Sequence, residues 1–146
     1  MLRVGLIGYG FIGDLHARAV AAAGAQLVAV SGHDAGRAAA FAARFGAEGA
    51  GDDWEAMVRR NDLDAVVVGT PNSLHHPQTM AALAAGKHVL VDKPMAVSVA
   101  EAEEMRDAAA AAGRVLCVGH MWRYRDEVRA LRDRIAAGDL GQVVRT

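Results

Sequence analysis

Two groups of residues carry chemistry in this chain. Gly8, Gly10 and Gly13 are spaced G-x-G-x-x-G near its start, and Lys93 stands between an acid, Asp92, and a proline, Pro94. The glycine spacing suits a pyrophosphate. Gly8 makes a tight turn, Gly10 has no side chain to keep the phosphates off the backbone, and Gly13 lets a helix pack close to the strand before it. The free N–H groups and positive dipole end of that helix then face the anion. Tyr9, Phe11 and Ile12 ride on the same loop and count with the glycines as cofactor-binding candidates. Lys93 suits proton movement. An amine there can polarise a carbonyl, or take and return a proton when burial or a neighbouring cation lowers its pKa. A lysine is ordinarily a solvated surface residue; its place between an apolar strand and a proline makes Lys93 the catalytic candidate.

Two further loops hold polar residues. Ser31-Gly32-His33-Asp34 follows an apolar run about 20 residues beyond the glycines, where an acid usually accepts from the adenosine ribose 2′-hydroxyl. Position 32 would suit that acid but is glycine. Asp34 is free to cap the next helix, and Ser31, His33 and Arg37 could surround a 2′-phosphate. The loop therefore leans to NADP over NAD, and an acid placed at position 32 is expected to turn the preference towards NAD. His33 also reads as an ordinary solvated turn residue. Thr70-Pro71-Asn72 follows another strand, with Pro71 stiffening the loop and Asn72 able to give and take hydrogen bonds near a nicotinamide. His75 and His76 are adjacent and lack nearby cysteine or carboxylate partners, so they are not expected to hold a metal. One of them is equally suited to packing on the loop.

The elements that must position these loops alternate. Strands are expected at Leu2–Ile7, Gln26–Ser31, weakly at Ala47–Ala50, and at Ala65–Gly69, His88–Val91 and Val115–Gly119. Helices are expected after the glycines, at Ala35–Phe45, from a capping box at Asp52-Asp53-Trp54-Glu55 to Arg60, at Pro77–Ala85, from a second box at Ser98-Val99-Ala100-Glu101 to Ala112, and at Asp126–Ala137. Near-continuous apolar runs such as Leu27–Val30 belong to strands buried on both faces. Alternation with short loops predicts an α/β fold, a doubly wound parallel sheet. In such sheets ligands bind beyond the carboxyl ends of the strands, and the polar loops above all follow strands.

Composition sets the remaining bounds. The 146 residues are enough for one domain with a real core, and 53% hydrophobic with 23% charged residues is ordinary for a globular chain. A net charge of −1 gives no electrostatic case for nucleic acid or an acidic membrane surface. Lys87 and Lys93 are the only lysines among 16 basic residues. The lone Cys117 sits in an apolar run and reads as a core residue. No stretch is long and apolar enough to span a bilayer, and the start has no leader, so a cytoplasmic location is the expectation.

Taken together the motifs resemble the glucose–fructose oxidoreductase, inositol dehydrogenase and MocA family. The matching stretches are Gly8–Gly13, Thr70-Pro71-Asn72-Ser73-Leu74-His75, Ala84-Ala85-Gly86-Lys87-His88-Val89-Leu90-Val91-Asp92-Lys93-Pro94, Gly119-His120-Met121-Trp122-Arg123-Tyr124 and Gly138-Asp139-Leu140-Gly141. The family normally has glutamate where this chain has Asp92, and often a proline where Asp126 stands. The resemblance implies a Rossmann domain and a nicotinamide-dependent oxidoreductase acting on sugars, polyols or related alcohols and carbonyls. It implies that Lys93 binds the substrate oxygen and assists proton transfer. Asn72 and His75 would line the nicotinamide side, with Asp92 beside them, and Arg123 would lie near the cofactor or a domain junction. The family also has a second α/β domain that supplies most of the substrate pocket. The expectation is therefore a dinucleotide-binding domain over residues 1–120, followed by a connecting helix and the first strand, near Val143-Val144, of a truncated domain over 121–146. Such a chain would bind cofactor but turn over little or nothing alone, and self-association through the last helix or through the Val143-Val144 end would make it a possible homo-oligomer. A nucleotide-binding module or partner subunit without turnover is the alternative.

Overall fold

The structure is a computed structural model and describes residues 1–142 and Val144. Six strands, β1 (Arg3–Ile7), β2 (Gln26–Ser31), β3 (Gly49–Gly51), β4 (Ala65–Val68), β5 (His88–Val91) and β6 (Leu116–Val118), alternate with helices α1 (Phe11–Ala22), α2 (Ala35–Phe45), α3 (Trp54–Val58), α4 (His75–Ala84) and α5 (Val99–Ala112). The strands form one parallel sheet in the order β3-β2-β1-β4-β5-β6. This is the doubly wound Rossmann arrangement that the alternation predicts. The order reverses at β1, whose neighbours β2 and β4 lead the chain away in opposite directions, and ligands bind at such switch points.

Both faces of the sheet are covered. On one, Leu6, Val30 and Val67 pack with Ala17 of α1 and Phe41 and Ala42 of α2. On the other, Ile7, Val66, Val68 and Val91 pack with Met57 of α3, Leu83 of α4 and Met105 of α5. Each such side chain contributes about 1.5–3 kcal/mol by leaving water, which is why β1, β2 and β4 show no in–out alternation.

The helix ends follow local chemistry. Asp34 caps α2, its Oδ1 accepting the Arg37 N–H at 2.7 Å, and Gly46 closes α2 in the left-handed region. Ser98 Oγ accepts the Glu101 N–H at 3.2 Å, but Glu101 Oε2 reaches the Val97 N–H at 3.1 Å and not the cap's own amide.

Several boundaries differ from expectation. The cap of α3 is Asp53, which accepts the Ala56 N–H at 2.8 Å, and not Asp52. That helix stops at Val58, short of Arg60, whose guanidinium pairs with Asp62 and whose carbonyl accepts from Lys87 Nζ at 2.6 Å. A 3-10 turn at Asn72–Leu74 leads straight into α4 at His75, so Pro77 stands third in the helix, where its missing N–H is one that no turn would use. β3 forms two residues later than expected. β6, an edge strand paired among the described residues only with β5, is two residues shorter and leaves Cys117 half-buried.

Helix α6 (Asp126–Ala136) follows a second 3-10 turn at Met121–Tyr124. Every residue from His120 to Gln142 is exposed. Val144 is exposed and in no regular element, and Val143 lies outside the described residues.

Candidate dinucleotide-binding site

The three glycines answer to different demands. Gly8 has φ +102°, and a β-carbon there would lie 2.5 Å from the Gly69 carbonyl oxygen; its own N–H donates to the Ser31 carbonyl at 2.8 Å. A β-carbon on Gly13 would strike the Gly8 carbonyl. Gly10 precedes α1, and a β-carbon there would meet nothing within 4 Å. The fold therefore requires Gly8 and Gly13, whereas Gly10 keeps clear a space outside the protein. The first helical bond runs from the Asp14 N–H to the Gly10 carbonyl. The amides before it point out of the helix end, as an anion requires.

From this loop a groove of about 770 Å³ runs along the carboxyl ends of the strands. Gly8, Tyr9, Gly10, Phe11 and Ile12 form its middle, Gly32, His33, Arg37, Asp52 and Trp54 one end, and Gly69, Thr70, Pro71, Leu74 and Gln78 the other. Ile7, Asp52, Trp54, Gly69, Leu74 and Gln78 also line it and are not among the site residues expected from the sequence. Of these, Asp52 and Gly69 directly follow strands of the same rim, the signal by which the sequence could have shown them. At the β2 end the Tyr9 hydroxyl accepts the Asp34 N–H at 2.9 Å and lies 3.2 Å from His33 Nδ1, and the Arg37 guanidinium stands 5.1 Å from the Tyr9 ring centre. Ser31 is not part of this cluster. It is the last residue of β2 and lines a separate cavity with Met57 and Arg60, and its buried Oγ has no partner among the described residues.

The β4 and β5 ends meet behind the groove. Thr70 Oγ1 donates to Gln78 Oε1 at 2.6 Å. His75 does not line the groove: it is 1% exposed, with its two ring nitrogens against the carbonyls of Pro94 and Thr70. His76 leaves in another direction and meets Glu104 at 2.8 Å. Among the described residues no three His, Cys, Asp or Glu side chains gather as metal ligands. Asp92 is buried, its Oδ1 accepting the Lys93 N–H at 2.8 Å, and it faces Gly119, not the groove. Lys93 is exposed on the rim at the end of β5, joined to Pro94 by a cis peptide. Asn72 is exposed in its turn, and Arg123 is exposed in the turn after β6; neither lines the groove. His16, on α1 beside Gly69, has its pKa lowered from the ordinary 6.5 by burial, with the Asp92 carboxylate opposing.

Across the rim the order is thus Gly32 on β2, the glycine loop on β1, Thr70 on β4 and Lys93 on β5. Three strand spacings, about 14 Å, separate the first from the last. Glycine turn, helix end and groove together define a Rossmann-type dinucleotide-binding domain. Residues 2–120 match the model of the GFO/IDH/MocA oxidoreductase family, NAD-binding Rossmann fold, and the chain belongs to that family. It is 41% identical over 99% of its length to a 1,5-anhydro-D-fructose reductase of Ensifer adhaerens, covering 44% of that protein. Among solved structures, a levoglucosan dehydrogenase in complex with NADH superposes with a TM-score of 0.92 at 32% identity, over 98% of this chain and 41% of that one. A scyllo-inositol dehydrogenase from Lactobacillus casei with bound NAD(H) and scyllo-inositol gives 0.90 at 28% identity, over 97% and 43%. The chain thus spans less than half the length of these relatives. No helix among the described residues is long and apolar enough to cross a membrane.

Proposed function

We propose that this chain is the cofactor-binding half of a nicotinamide-dependent oxidoreductase acting on a sugar, polyol or related alcohol or carbonyl, with NADP preferred to NAD. The carrying observation is the open face of Gly10 in a groove whose far end points along the sheet to Lys93. The adenosine belongs at the β2 end beside Arg37, the pyrophosphate at the helix end, and the nicotinamide at Thr70 and Pro71. When bound, the cofactor supplies or accepts the hydride.

The chain's own residues do the rest. The α1 amides hold the negative charge, and Arg37, a cation with no carboxylate partner among the described residues, favours a 2′-phosphate. Lys93 places its side-chain nitrogen at the substrate oxygen, the ammonium giving a proton as a carbonyl is reduced and the neutral amine taking one as an alcohol is oxidised. Asp92 and His75 hold the two loops in register. Residues 1–120 form this binding domain, and residues 121–146 lead towards the part of the relatives that this chain does not cover. Much of the barrier reduction in hydride transfer comes from positioning the substrate, and the residues present form one wall of that site. Binding without turnover by the chain alone is accordingly the expected behaviour. Self-association through the exposed apolar stripe of α6 belongs to the same proposal.

The test is calorimetric titration of the wild type and Gly10→Val with NADP(H) and NAD(H). Binding by the wild type and its loss in a folded Gly10→Val protein are expected. Equal affinity in both proteins would overturn the assignment of the groove.

A further inference from the structure

Rossmann domains commonly hold an acidic side chain at the end of the second strand, where it accepts from the ribose 2′-hydroxyl. The corresponding residue here is Gly32, yet the space above it is filled. The Tyr9 ring, arriving from the glycine loop, lies over Gly32 so closely that a β-carbon there would stand 2.8 Å from Tyr9 Cδ1 and 3.0 Å from Cζ. Three contacts hold the ring: the Asp34 N–H on its hydroxyl at 2.9 Å, His33 Nδ1 at 3.2 Å, and the Arg37 guanidinium over its face.

We propose that Tyr9 determines which dinucleotide this chain accepts. Its phenol occupies the volume of the missing acid and presents a neutral hydroxyl, next to Arg37, to the 2′-substituent of the adenosine ribose. A carboxylate accepts hydrogen bonds and repels a 2′-phosphate. A phenol has one proton to give and two lone pairs. One lone pair of Tyr9 takes the Asp34 amide and, with the His33 proton on Nδ1, the other takes that N–H, which leaves the phenol proton for a phosphate oxygen. Arg37 needs only to leave a cation–π contact to meet the same phosphate, and a charge-assisted pair is the stronger interaction. Replacing Gly32 with an acid alone, the change the sequence suggests, therefore meets the ring before it meets a ribose.

The sign of the preference rests on the NADP reading above; the ring's occupation of the acid's place does not. The experiment compares the wild type, Tyr9→Phe, Gly32→Asp and the double variant Tyr9→Ala/Gly32→Asp, each shown to be folded by thermal melting, with dissociation constants for NADP⁺ and NAD⁺ from calorimetry. Tyr9→Phe keeps the ring and loses the donor, so NADP⁺ is expected to weaken about tenfold, the loss of one hydrogen bond to a charged group, with NAD⁺ little changed. Gly32→Asp is expected to weaken both. The double variant, with ring removed and acid present, is expected to recover NAD⁺ but not NADP⁺. An unchanged NADP⁺/NAD⁺ ratio in Tyr9→Phe overturns the role of the hydroxyl. NAD⁺ binding by Gly32→Asp as tight as by the double variant overturns the role of the ring. A wild type that prefers NAD⁺ overturns the NADP reading and with it the hydroxyl's part. The ring's part is then still decided by the single and double variants. Failure of the wild type to bind either dinucleotide overturns both readings.

Discussion

The His75 ring lies between two carbonyl oxygens, that of Pro94 2.7 Å from its Nδ1 and that of Thr70 2.9 Å from its Nε2, and a neutral imidazole donates to one of them, the tautomer setting which. The first oxygen belongs to the loop after β5 that carries Lys93, the second to the loop after β4 that walls the groove. A buried ring that touches neither groove nor solvent thus ties the two loops together. His75→Leu removes the ring N–H and leaves its carbonyl acceptor facing an apolar side chain, and an unpaired buried group costs roughly 1–3 kcal/mol. A loss of about 1–3 kcal/mol in unfolding free energy is expected from denaturant titration. An unchanged midpoint would show that the loops do not depend on this ring.

The glycines separate stability from binding. Gly13→Val forces a side chain onto the Gly8 backbone and is expected to prevent a cooperative melt or lower its midpoint steeply. Gly10→Val meets open space at φ −78° and is expected to melt within a few degrees of the wild type. A large loss of stability in Gly10→Val would mean that the space is not open.

The two lysines are expected to fail in opposite ways. Lys87 is buried, its Nζ donating to the carbonyls of Arg60 at 2.6 Å and Leu63 at 2.9 Å. Lys87→Met removes both bonds and is expected to cost about 2–4 kcal/mol while cofactor affinity is kept. Lys93→Met, on the exposed rim, is expected to leave the denaturant midpoint in place. In a protein that also carries the remainder found in the relatives, it is expected to abolish turnover. Near-normal turnover in that protein would remove the lysine from the chemistry.

Acid stability is expected to depend on Asp64 and Asp62. The Arg3 guanidinium, helped by the Arg3 N–H at 2.8 Å, holds the Asp64 carboxyl far below the usual carboxylate range. Arg60 lowers Asp62 to about 2 in the same way. Because the unfolded chain binds these protons first, the stabilisation is complete above about pH 4 and is lost as the pH falls towards 2. Asp64→Asn is expected to lower the melting temperature at pH 7 and flatten its fall between pH 4 and 2. A melting curve against pH identical to the wild type would overturn the assignment.

The sheet was legible in the sequence because its strands are near-continuous apolar runs bounded by glycines and caps. Gln26–Ser31, Ala35–Phe45 and His88–Val91 form over the residues expected. Short elements were less legible. Arg60, just past the end of α3, is held by Lys87, 27 residues away, and no local pattern records that bond. At the site, loop membership identified Gly8–Ile12, Gly32, His33, Arg37, Thr70 and Pro71 as groove residues, because a loop's place on the rim follows from topology. Side-chain direction did not follow. Ser31 and His75 belong to the right loops but point behind the groove, and the Tyr9 ring reaches across to a residue 23 positions on.

The contrast between packed and open glycines also says how such a chain would age. Gly8 and Gly13 are pinned by backbone, so any descendant that still folds must keep them, whether or not it binds a nucleotide. Gly10 answers only to a guest. A lineage released from its cofactor would retain a first and third glycine and acquire a side chain at the second. That middle position alone would separate working domains from relics that share their architecture.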